Sequence, residues 1–377
     1  MRITLVISSL GSGGAERVMS MLASQWATKG WPVTLITLDD GNNDFYPLPP
    51  AITRVALDVM NPSSNPVSAV FHNIRRVSRL RSALRKSTPQ VVLSFVDRTN
   101  VLVLLTAWGL RVPVVVSERT NPPAYPLGLA WEALRRLAYP KAKGLVLQTE
   151  GLKPWGEKRV KKGRVFIVPN PVILPDARET GLPKSLKSIS LKKGRQRVVA
   201  VGRFGHEKGF DLLLEGFGRL ASGFSGWDLV ILGDGPLRPN LTRQVEGLGL
   251  HDRVFLPGRV KNPFPVLAGC DLFVLSSRFE GFPNVLLEAM ACGLPVVAFD
   301  CPSGPADIIH HGVDGLLVPA GDVGKLAEAM QSLMENPEER VRLGDAAKQV
   351  TGRFSMEKVA AMWESVLAQV VLPENPS

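Results

Sequence analysis

The chain has 377 residues, an ordinary globular composition of 45% hydrophobic and 21% charged residues, and a formal net charge of +11. One hydrophobic core does not normally extend over this length, so we expect two domains. The positive charge is compatible with nucleic acid, anionic lipid or a phosphate-bearing substrate, whereas three cysteines without CxxC or histidine-rich spacing argue against a disulfide or zinc framework.

The first predicted element is a short strand, Ile3–Ile7, which ends at a pair of serines. This apolar run is too short to be the hydrophobic region of a signal peptide. The longest apolar run, Val101–Leu110, is about half of what a bilayer-spanning helix requires. We therefore predict a cytoplasmic protein that is soluble or peripheral to the membrane.

A glycine-rich loop, Gly11–Glu16, joins that strand to a helix predicted over Ala15–Thr28. Gly13 and Gly14 allow the backbone to approach a phosphate or a sugar closely. The loop departs from the dinucleotide fingerprint GxGxxG because Glu16 stands at the third glycine position, which disfavours a nicotinamide dehydrogenase. A purely structural tight turn is the alternative.

A basic amphipathic helix is predicted over 71–87, a segment without any acidic residue. Its apolar residues recur at helical spacing: Phe71, Ile74, Val77, Leu80 and Leu84. Its remaining faces carry arginines that include Arg75, Arg76 and Arg79. Such a helix suits a membrane surface or a polyphosphate. The alternative is a solvated face whose arginines extend over a core stripe.

Strand patterns alternate with helix patterns through both halves of the chain. Further strands of the first half are predicted at Val33–Leu38, Val91–Phe95, Val114–Ser117, Gly144–Gln148 and Val165–Val168. A linker-like segment, Pro175–Arg197, follows and is rich in Lys, Ser, Gly and Pro. The pattern then restarts, with strands predicted at Val198–Val201, Asp228–Leu232, Val254–Leu256, Leu272–Ser276, Pro295–Phe299 and Gly315–Val318.

These repeated strand–helix units predict an α/β fold with two doubly wound, Rossmann-like domains that face a cleft. We place the N-terminal domain at 1–180 and the C-terminal domain at 181–355. The last predicted helix, roughly Met356–Val370, is amphipathic. We expect the segment 356–377 to pack back on the first domain.

The loop Gly202–Gly209 follows the first predicted strand of the second half and carries Arg203 and Lys208. Open α/β sheets bind ligands at the carboxyl ends of their strands. Two cations there can converge on a diphosphate and neutralise it as it departs. Solvated surface cations are the alternative.

Two further turns follow later strands of the second half. Gly233–Pro236 is predicted to touch the rim of the ligand, and Arg259 and Val260 to offer backbone groups to a base edge. Ser303-Gly304-Pro305 is predicted only to shape the pocket.

Two glutamates, Glu280 and Glu288, bracket the segment after the strand predicted at Leu272–Ser276. Pro283 suits the first turn of a helix. The free N–H groups and the positive dipole end of that helix form an anion site. One acid lies before this anion site and the other lies further along the helix. This layout suits a phosphate-linked ligand with hydroxyls on both sides, such as a nucleotide sugar. The alternative is that both acids are surface residues.

Other chemistries find little support in the sequence. It contains no Asp-x-Asp, no histidines at zinc-site spacing and no GxSxG. We predict no metal and no cofactor, with a nucleoside diphosphate sugar as co-substrate.

Together these loops resemble glycosyltransferase family 4, which contains retaining enzymes of the GT-B fold. The resemblance rests on the order and spacing of Gly202–Gly209, Gly233–Pro236 and the E-x₇-E segment Glu280–Glu288. The opening GSGGAERV, with CPSGPADII at Cys301–Ile309, looks like the branch that builds bacterial polysaccharides and oligosaccharides on polyprenyl diphosphate.

The resemblance implies a role for each matched residue. Glu288 would bind the ribose hydroxyls, Glu280 the hydroxyls of the donor sugar, and Arg203 with Lys208 the donor diphosphate. Gly13 and Gly14 would let the first domain meet the donor phosphate and the acceptor. The other predicted donor-binding residues are Gly202, Gly233, Arg259, Val260, Gly281, Phe282, Pro283, Asn284 and Val285.

One segment departs from the family pattern. Many members carry a histidine near the sugar, after the strand that corresponds to Val114–Ser117. Here that strand runs into Glu118 and Arg119. We assign these two, with the helix residues Arg75, Arg76 and Arg79, to the acceptor.

The predicted function is retaining transfer of a hexose or N-acetylhexosamine to a polyprenyl-diphosphate-linked saccharide. The resemblance implies a UDP-sugar donor. An anionic membrane surface, at the inner face of the cytoplasmic membrane, is a further predicted partner. One alternative is a sugar-nucleotide epimerase of the same fold, which would release free UDP. Another is a non-catalytic basic module for nucleic acid, but that function leaves the two glutamates unexplained and we predict no nucleic-acid partner.

Overall fold

A computed structural model of the chain describes residues 1–42, 44–60, 66–172, 194–260 and 262–371, with the backbone alone for 66–71. The chain divides into two compact units: unit 1 is Met1–Asn170 with Glu357–Ser377, and unit 2 is Pro171–Met356. The predicted boundary between 180 and 181, and all but the last four residues of the predicted linker, lie outside the described residues.

Unit 1 is built on a parallel sheet of seven strands. These are β1 (Ile3–Ile7), β2 (Val33–Thr37), β3 (Ile52–Ala56), β4 (Val91–Phe95), β5 (Val114–Ser117), β6 (Gly144–Leu147) and β7 (Val165–Ile167). Their order in the sheet is β3-β2-β1-β4-β5-β6-β7. The central strands β1, β4, β5 and β6 are buried along their whole length, as expected for a sheet with both faces covered. Sequence analysis missed only β3, an edge strand.

Among the described residues up to Asn170, unit 1 contains five α-helices. They are α1 (Gly14–Thr28), α2 (Pro66–Ser87), α3 (Asp97–Thr106), α4 (Leu129–Ala138) and α5 (Lys153–Glu157). Among the side chains of the predicted α2 stripe that the structure describes, Leu80 and Leu84 are buried in the core. Ile74 is 63% exposed, so this position of the stripe does not pack into the core. The side chain of Phe71 lies outside the described residues.

Unit 2 repeats the design with a parallel sheet of six strands. They are β8 (Gln196–Val201), β9 (Trp227–Leu232), β10 (Val254–Gly258), β11 (Leu272–Leu275), β12 (Val296–Asp300) and β13 (Leu316–Pro319). The order β10-β9-β8-β11-β12-β13 places β8 and β11 at the centre. Between β8 and β11 the chain reverses its direction of progress across the sheet, which is where such sheets bind ligands.

The helices of unit 2 cover this sheet. They are α6 (Phe210–Leu220), α7 (Arg238–Gly247), α8 (Phe264–Leu267), α9 (Asn284–Ala291), α10 (Pro305–Ile308), α11 (Val323–Glu335), α12 (Pro337–Ala347) and α13 (Val350–Arg353). The two-layered core that they form with the sheet includes Phe217, Leu326 and Met330 on one face and Leu286 and Met290 on the other. The predicted α/β fold of two doubly wound units is therefore confirmed.

The C-terminal helix α14 (Met356–Val371) belongs to unit 1 from Glu357 onward. Its fully buried Trp363 lies against Phe95 of β4, with ring centroids 5.6 Å apart. Glu364 accepts hydrogen bonds from Trp26 at 3.2 Å and from Lys29 at 2.6 Å. Among the described residues, no helix combines the length and the apolar composition that a bilayer crossing requires.

Candidate active site

The loop after β8 is held against the end of β11 by a close backbone contact. Gly209 adopts a left-handed conformation with φ of 60°, and a Cβ atom there would lie 2.1 Å from the carbonyl oxygen of Ser276. Only glycine tolerates both conditions without strain. The hydroxyl of Ser276 also donates to the carbonyl of Lys208 at 3.0 Å. These contacts fix Lys208 next to the end of β11.

The side chain of Lys208 is directed by its neighbours toward a carboxylate. Its aliphatic stem passes beside Gly202, where a Cβ atom would lie 3.3 Å from both Cγ and Cδ of the lysine. Its Nζ donates to Oε1 of Glu280 at 2.7 Å. The two residues are 72 positions apart in the sequence, so it is the parallel sheet that brings them together.

Glu280 is held by three contacts in a nearly buried position. The residue is 8% exposed, and its Oε1 accepts a second hydrogen bond from Ser277 at 2.6 Å. Its backbone carbonyl accepts a bond from Ser303 at 2.7 Å, in the turn after β12. Sequence analysis missed Ser277; its place immediately after a buried strand, three residues before the glutamate, was the available signal.

The loops after β8 and β9 are packed backbone to backbone. Gly233 has φ of 142°, and a Cβ atom there would lie 1.8 Å from the carbonyl oxygen of Gly202. The backbone N–H of Phe204 donates to the carbonyl of Asp234 at 2.9 Å. A hydrogen bond from Arg238 lowers the pKa of Asp234. The two glycine loops therefore form one rigid edge.

Two of the predicted cations lie at the margin of this edge. Arg203 follows Gly202 and is exposed. Arg259 is also exposed, after β10, and its charge contributes to the lowered pKa of Asp234. The adjacent Val260 is half-buried. Both arginines are therefore accessible to solvent, in contrast to the largely buried Lys208 and Glu280.

Helix α9 begins one residue later than predicted. Pro283, with ψ of 91°, precedes its first turn, and the helix runs for eight residues from Asn284, or about 12 Å. The turn after β12 reaches this point, since a Cβ atom on Gly304 would lie 2.6 Å from Cδ of Pro283. Glu288 lies in the second turn of α9 and is 4% exposed.

The residues between the two glutamates have different surroundings. Phe282 is buried against Phe354, with centroids 5.7 Å apart, which anchors the start of α9. Gly281, Asn284 and Val285 are half-buried. The structure thus places the predicted donor residues Gly202, Lys208, Gly233 and Glu280 on one edge of unit 2, with α9 beginning beside them.

In unit 1 the glycine loop after β1 lies near Arg119. Gly13 precedes the first turn of α1, and Glu16 lies within that turn. Burial raises the pKa of Glu16, and the positive charge of Arg119 opposes this rise. The Arg119 guanidinium lies 4.3 Å from the Phe95 ring centroid and donates to Asn170. Gly13, Gly14 and Arg119 therefore share the carboxyl edge of this sheet.

The predicted acceptor residue Glu118 lies inside unit 1. It is 1% exposed, accepts a hydrogen bond from the hydroxyl of Tyr139, and lies 3.6 Å from a guanidinium nitrogen of Arg135. Its Oε2 has no hydrogen-bond partner among the described residues. Its assignment to the acceptor stays a prediction, and its observed partners all belong to the interior.

The predicted acceptor arginines of α2 differ in their contacts. Arg75 is exposed. Arg76 donates to the carbonyl of Val59 at 2.8 Å, and Arg79 to that of Leu57 at 2.9 Å. The last two therefore support the segment after β3.

We expect the burial of Glu118 to make the stability of unit 1 depend on pH. Burial raises the pKa of Glu118 from 4.5 to about 7, so between these values the folded state holds a proton that the unfolded state releases. The free energy of unfolding should fall as the pH rises through this window. Glu118→Gln places an uncharged side chain at this position, and its carbonyl oxygen can still accept the hydrogen bond from Tyr139.

The test compares melting temperatures of both proteins at about pH 5 and about pH 8. We expect the wild type to lose on the order of 2 kcal/mol relative to Glu118→Gln between these conditions. Parallel pH dependences of the two proteins would refute a raised pKa.

Two protein-family models match the chain. The "Glycosyl transferase 4-like domain" matches residues 13–171, and "Glycosyl transferases group 1" matches residues 183–350. Each of the two units thus corresponds in the main to one model.

Two similar curated proteins come from Campylobacter jejuni. One is named as the α-1,4-N-acetyl-D-galactosaminyltransferase acting on GalNAc-α-(1→4)-GalNAc-α-(1→3)-diNAcBac-PP-undecaprenol; it is 30% identical over 375 residues, which cover 98% of this chain and 99% of the relative. The other is named N-acetylgalactosamine-N,N'-diacetylbacillosaminyl-diphospho-undecaprenol 4-α-N-acetylgalactosaminyltransferase, 28% identical over 95% of this chain and 97% of the relative.

Solved structures share the fold over nearly the whole chain. Sucrose-phosphate synthase from Thermosynechococcus elongatus has a TM-score of 0.80 at 20% identity and covers 98% of both chains. Anabaena Alr3699/HepE in complex with UDP has a TM-score of 0.78 at 18% identity, and covers 98% of this chain and 100% of its own.

Proposed function

This chain belongs to the group 1, GT4-like glycosyltransferases of the GT-B fold, and on that premise we propose what it transfers and to what. The donor is a UDP-activated hexose or N-acetylhexosamine. The acceptor is a saccharide linked to polyprenyl diphosphate, and the transfer retains the anomeric configuration. Unit 2 contributes the donor site proposed here, and unit 1 carries the residues assigned to the acceptor.

The observation that carries this proposal is the contact between Lys208 and Glu280. A lysine and a glutamate whose side chains are 19% and 9% exposed, 2.7 Å apart, lie at the carboxyl edge of a doubly wound sheet. Such a pair contributes little net stability because desolvation offsets most of its attraction. It is suited to exchanging partners: the ammonium turns to a diphosphate, and the carboxylate accepts hydrogen bonds from sugar hydroxyls.

Groups around the Lys208–Glu280 pair can bind the remaining parts of a nucleotide sugar. The free N–H groups at the start of α9 favour a phosphate, and Arg203 adds a second positive charge on the same loop as Lys208. We assign Glu288 to the ribose hydroxyls. Gly202 and Gly233 let the two loops pack backbone to backbone, and the missing side chain of Gly202 leaves room for the stem of Lys208.

The proposed donor nucleotide is UDP. The structurally similar HepE was solved with UDP, and the names of the two C. jejuni relatives state transfer of N-acetylgalactosamine to undecaprenyl-diphosphate-linked glycans. These relatives support a lipid-linked acceptor for this chain as well. The inner face of the cytoplasmic membrane is then the proposed place of action.

In the proposed reaction the acceptor hydroxyl attacks the anomeric carbon on the face from which the diphosphate departs. The bond between that carbon and the diphosphate oxygen breaks, the new glycosidic bond forms, and the acceptor proton passes to a departing phosphate oxygen. Lys208 and Arg203 stabilise the negative charge that develops on the diphosphate. Glu280 orients the sugar through its hydroxyls, and no covalent bond to the protein forms.

A ligand screen followed by product analysis tests this function. We expect UDP and one UDP-sugar to raise the melting temperature, because a ligand that binds only the folded state stabilises it by about 2.7 kcal/mol at a hundredfold excess over Kd. GDP serves as the matched control nucleotide and should give a smaller shift.

The product distinguishes the proposed reaction from its rivals. With a polyprenyl-diphosphate-linked saccharide we expect a lipid product one sugar longer, with the anomeric configuration of the donor retained by NMR. Free UDP with an altered free sugar and no acceptor product would instead identify an epimerase. Binding of nucleic acid without turnover of any nucleotide sugar would favour a non-catalytic module.

A further inference from the structure

Helix α4 of unit 1 buries a charged residue, Arg135, and exposes most of its apolar residues. The outward positions are Leu129, Ala130, Ala133, Leu134 and Leu137, which we call the α4 outer face. The leucines are 93%, 36% and 54% exposed in chain order. Leu129, Ala133 and Leu137 are spaced four residues apart and so form one line along the helix. An ordinary surface helix has the opposite arrangement.

The inward side of α4 explains why the helix cannot simply rotate. Arg135 is 1% exposed, and its guanidinium donates to Glu132 at 2.8 Å. The same group lies 5.5 Å from the ring centroid of Trp155 and close to Glu118. Turning the leucines inward would remove a buried arginine from its partners, which costs about 3–5 kcal/mol. The buried contacts of Arg135 therefore keep the leucines on the exposed side of the helix.

Two exposed cations lie in or just after α4, and an exposed aromatic residue contacts one of them. Arg136 is exposed on the helix itself, and Lys141 is exposed just beyond its end. The Lys141 ammonium lies over the ring of Trp108, which is 57% exposed. None of the exposed positions of α4 carries an acid. Exposed leucines together with exposed cations and no exposed acid are typical of a helix that lies in a lipid interface.

We propose that the α4 outer face is a membrane-contact surface, which inserts its leucines shallowly into an anionic lipid leaflet while Arg136 and Lys141 bind headgroup phosphates. The inference deepens the proposed function and rests on it, since a polyprenyl-linked acceptor is held in a membrane. It also assigns the contact to a helix other than the basic α2.

Charge favours lipid over a second copy of the chain as the occupant. A symmetric dimer would bring the same patch of two chains together. Arg136 and Lys141 of both copies would then surround one small apolar contact without any acid from α4 to balance them. Anionic phosphates supply the opposite charge, and each nearby cation strengthens binding about fivefold.

Vesicle co-sedimentation of the full chain, without donor or acceptor, tests the proposal. The probes are phosphatidylcholine vesicles and vesicles with about one-third phosphatidylglycerol. We expect Leu129→Ser/Leu137→Ser to weaken binding to the anionic vesicles at least tenfold, because each buried leucine contributes a favourable transfer. Arg136→Gln/Lys141→Gln should weaken binding about 25-fold on anionic vesicles and leave binding to neutral vesicles unchanged.

The matched control is Leu248→Ser/Val341→Ser, which removes two exposed apolar side chains from unit 2, 42% and 63% exposed. It should bind vesicles as the wild type does. All variants should keep the wild-type melting temperature and its increase with UDP, which shows that fold and donor site are intact.

Three results would contradict the proposal that the α4 outer face contacts the membrane. They are no vesicle binding by the wild type, equal binding by the leucine variant and the wild type, and a lipid-free dimer that the leucine variant dissociates in sedimentation equilibrium. Sugar transfer to a water-soluble acceptor fragment remains measurable in each case, so failure of this surface is distinguishable from failure of the proposed function.

Discussion

Lys208→Ala should lower kcat by about 10²–10³-fold, which corresponds to about 3–4 kcal/mol of transition-state stabilisation. The lysine ammonium lies 2.7 Å from Glu280 in a site where both side chains are largely buried. Charge stabilisation in such a site counts for more than at the surface, because little water competes with it. In the variant, no other group of that loop occupies the position of the lysine Nζ to stabilise the charge that develops on the diphosphate. Steady-state kinetics with a saturating UDP-sugar measure the effect.

The matched control is Lys325→Ala, which removes an exposed lysine of the same unit from its pair with Glu328. We expect it to leave kcat within twofold, since exposed ion pairs contribute little. Circular dichroism well below the melting temperature checks that Lys208→Ala remains folded despite the unpaired Glu280. A folded Lys208→Ala protein with wild-type kcat would remove this lysine from the mechanism.

The fold was predictable because buried parallel strands have a simple sequence pattern. Strands such as Val91–Phe95 are short, mostly apolar runs, and turns or helices separate them. The missed strand β3 lies at the sheet edge, where Arg54 and Val55 are half-buried. A pattern that depends on burial on both faces does not detect such a strand.

The ends of elements were less predictable than their existence. Pro283 suits a first helical turn, yet here it adopts an extended ψ of 91° before Asn284. The turn at Gly304 contacts its ring, so a tertiary neighbour determines where α9 begins. Ile74 of α2 follows helical periodicity and is still 63% exposed, because periodicity identifies a face and not what covers it.

For the candidate site, sequence order and the rule of strand ends predicted that Lys208 and Glu280 lie at one edge of the sheet, where the structure pairs them; their roles stay predictions. These two signals could not supply the hydrogen bond from Ser303 to the backbone carbonyl of Glu280, because it joins loops that follow different strands. Nor could they show that Glu118 bonds internally with Tyr139. Ser277 bonds to Glu280 within one loop, and its nearness in the sequence was the only signal for that contact. Sequence analysis also made no prediction for helix α4, whose exposed leucines only the structure shows.

The rigid edge formed by the glycine loops leads to the second large effect. Gly233→Ala should destabilise unit 2 by about 3–5 kcal/mol. The added Cβ atom would lie 1.8 Å from the carbonyl oxygen of Gly202, and φ of 142° is itself strained for alanine. Backbone on both sides leaves no flexible atom to yield, so the loop after β8 that carries Lys208 must shift. Urea unfolding measures the loss of stability, and the UDP-dependent rise in melting temperature should shrink with it.

Gly226→Ala provides the control at the other end of the same strand, because Gly226 precedes β9 and Gly233 follows it. A Cβ atom on Gly226 meets nothing within 4 Å, so its replacement should change stability by no more than about 0.5 kcal/mol. If Gly233→Ala is as stable as Gly226→Ala and responds equally to UDP, the loops after β8 and β9 are not locked together. Lys208 would then not be positioned by the backbone contact between Gly202 and Gly233, and its pair with Glu280 would have to be maintained by the hydroxyls of Ser276 and Ser277 alone.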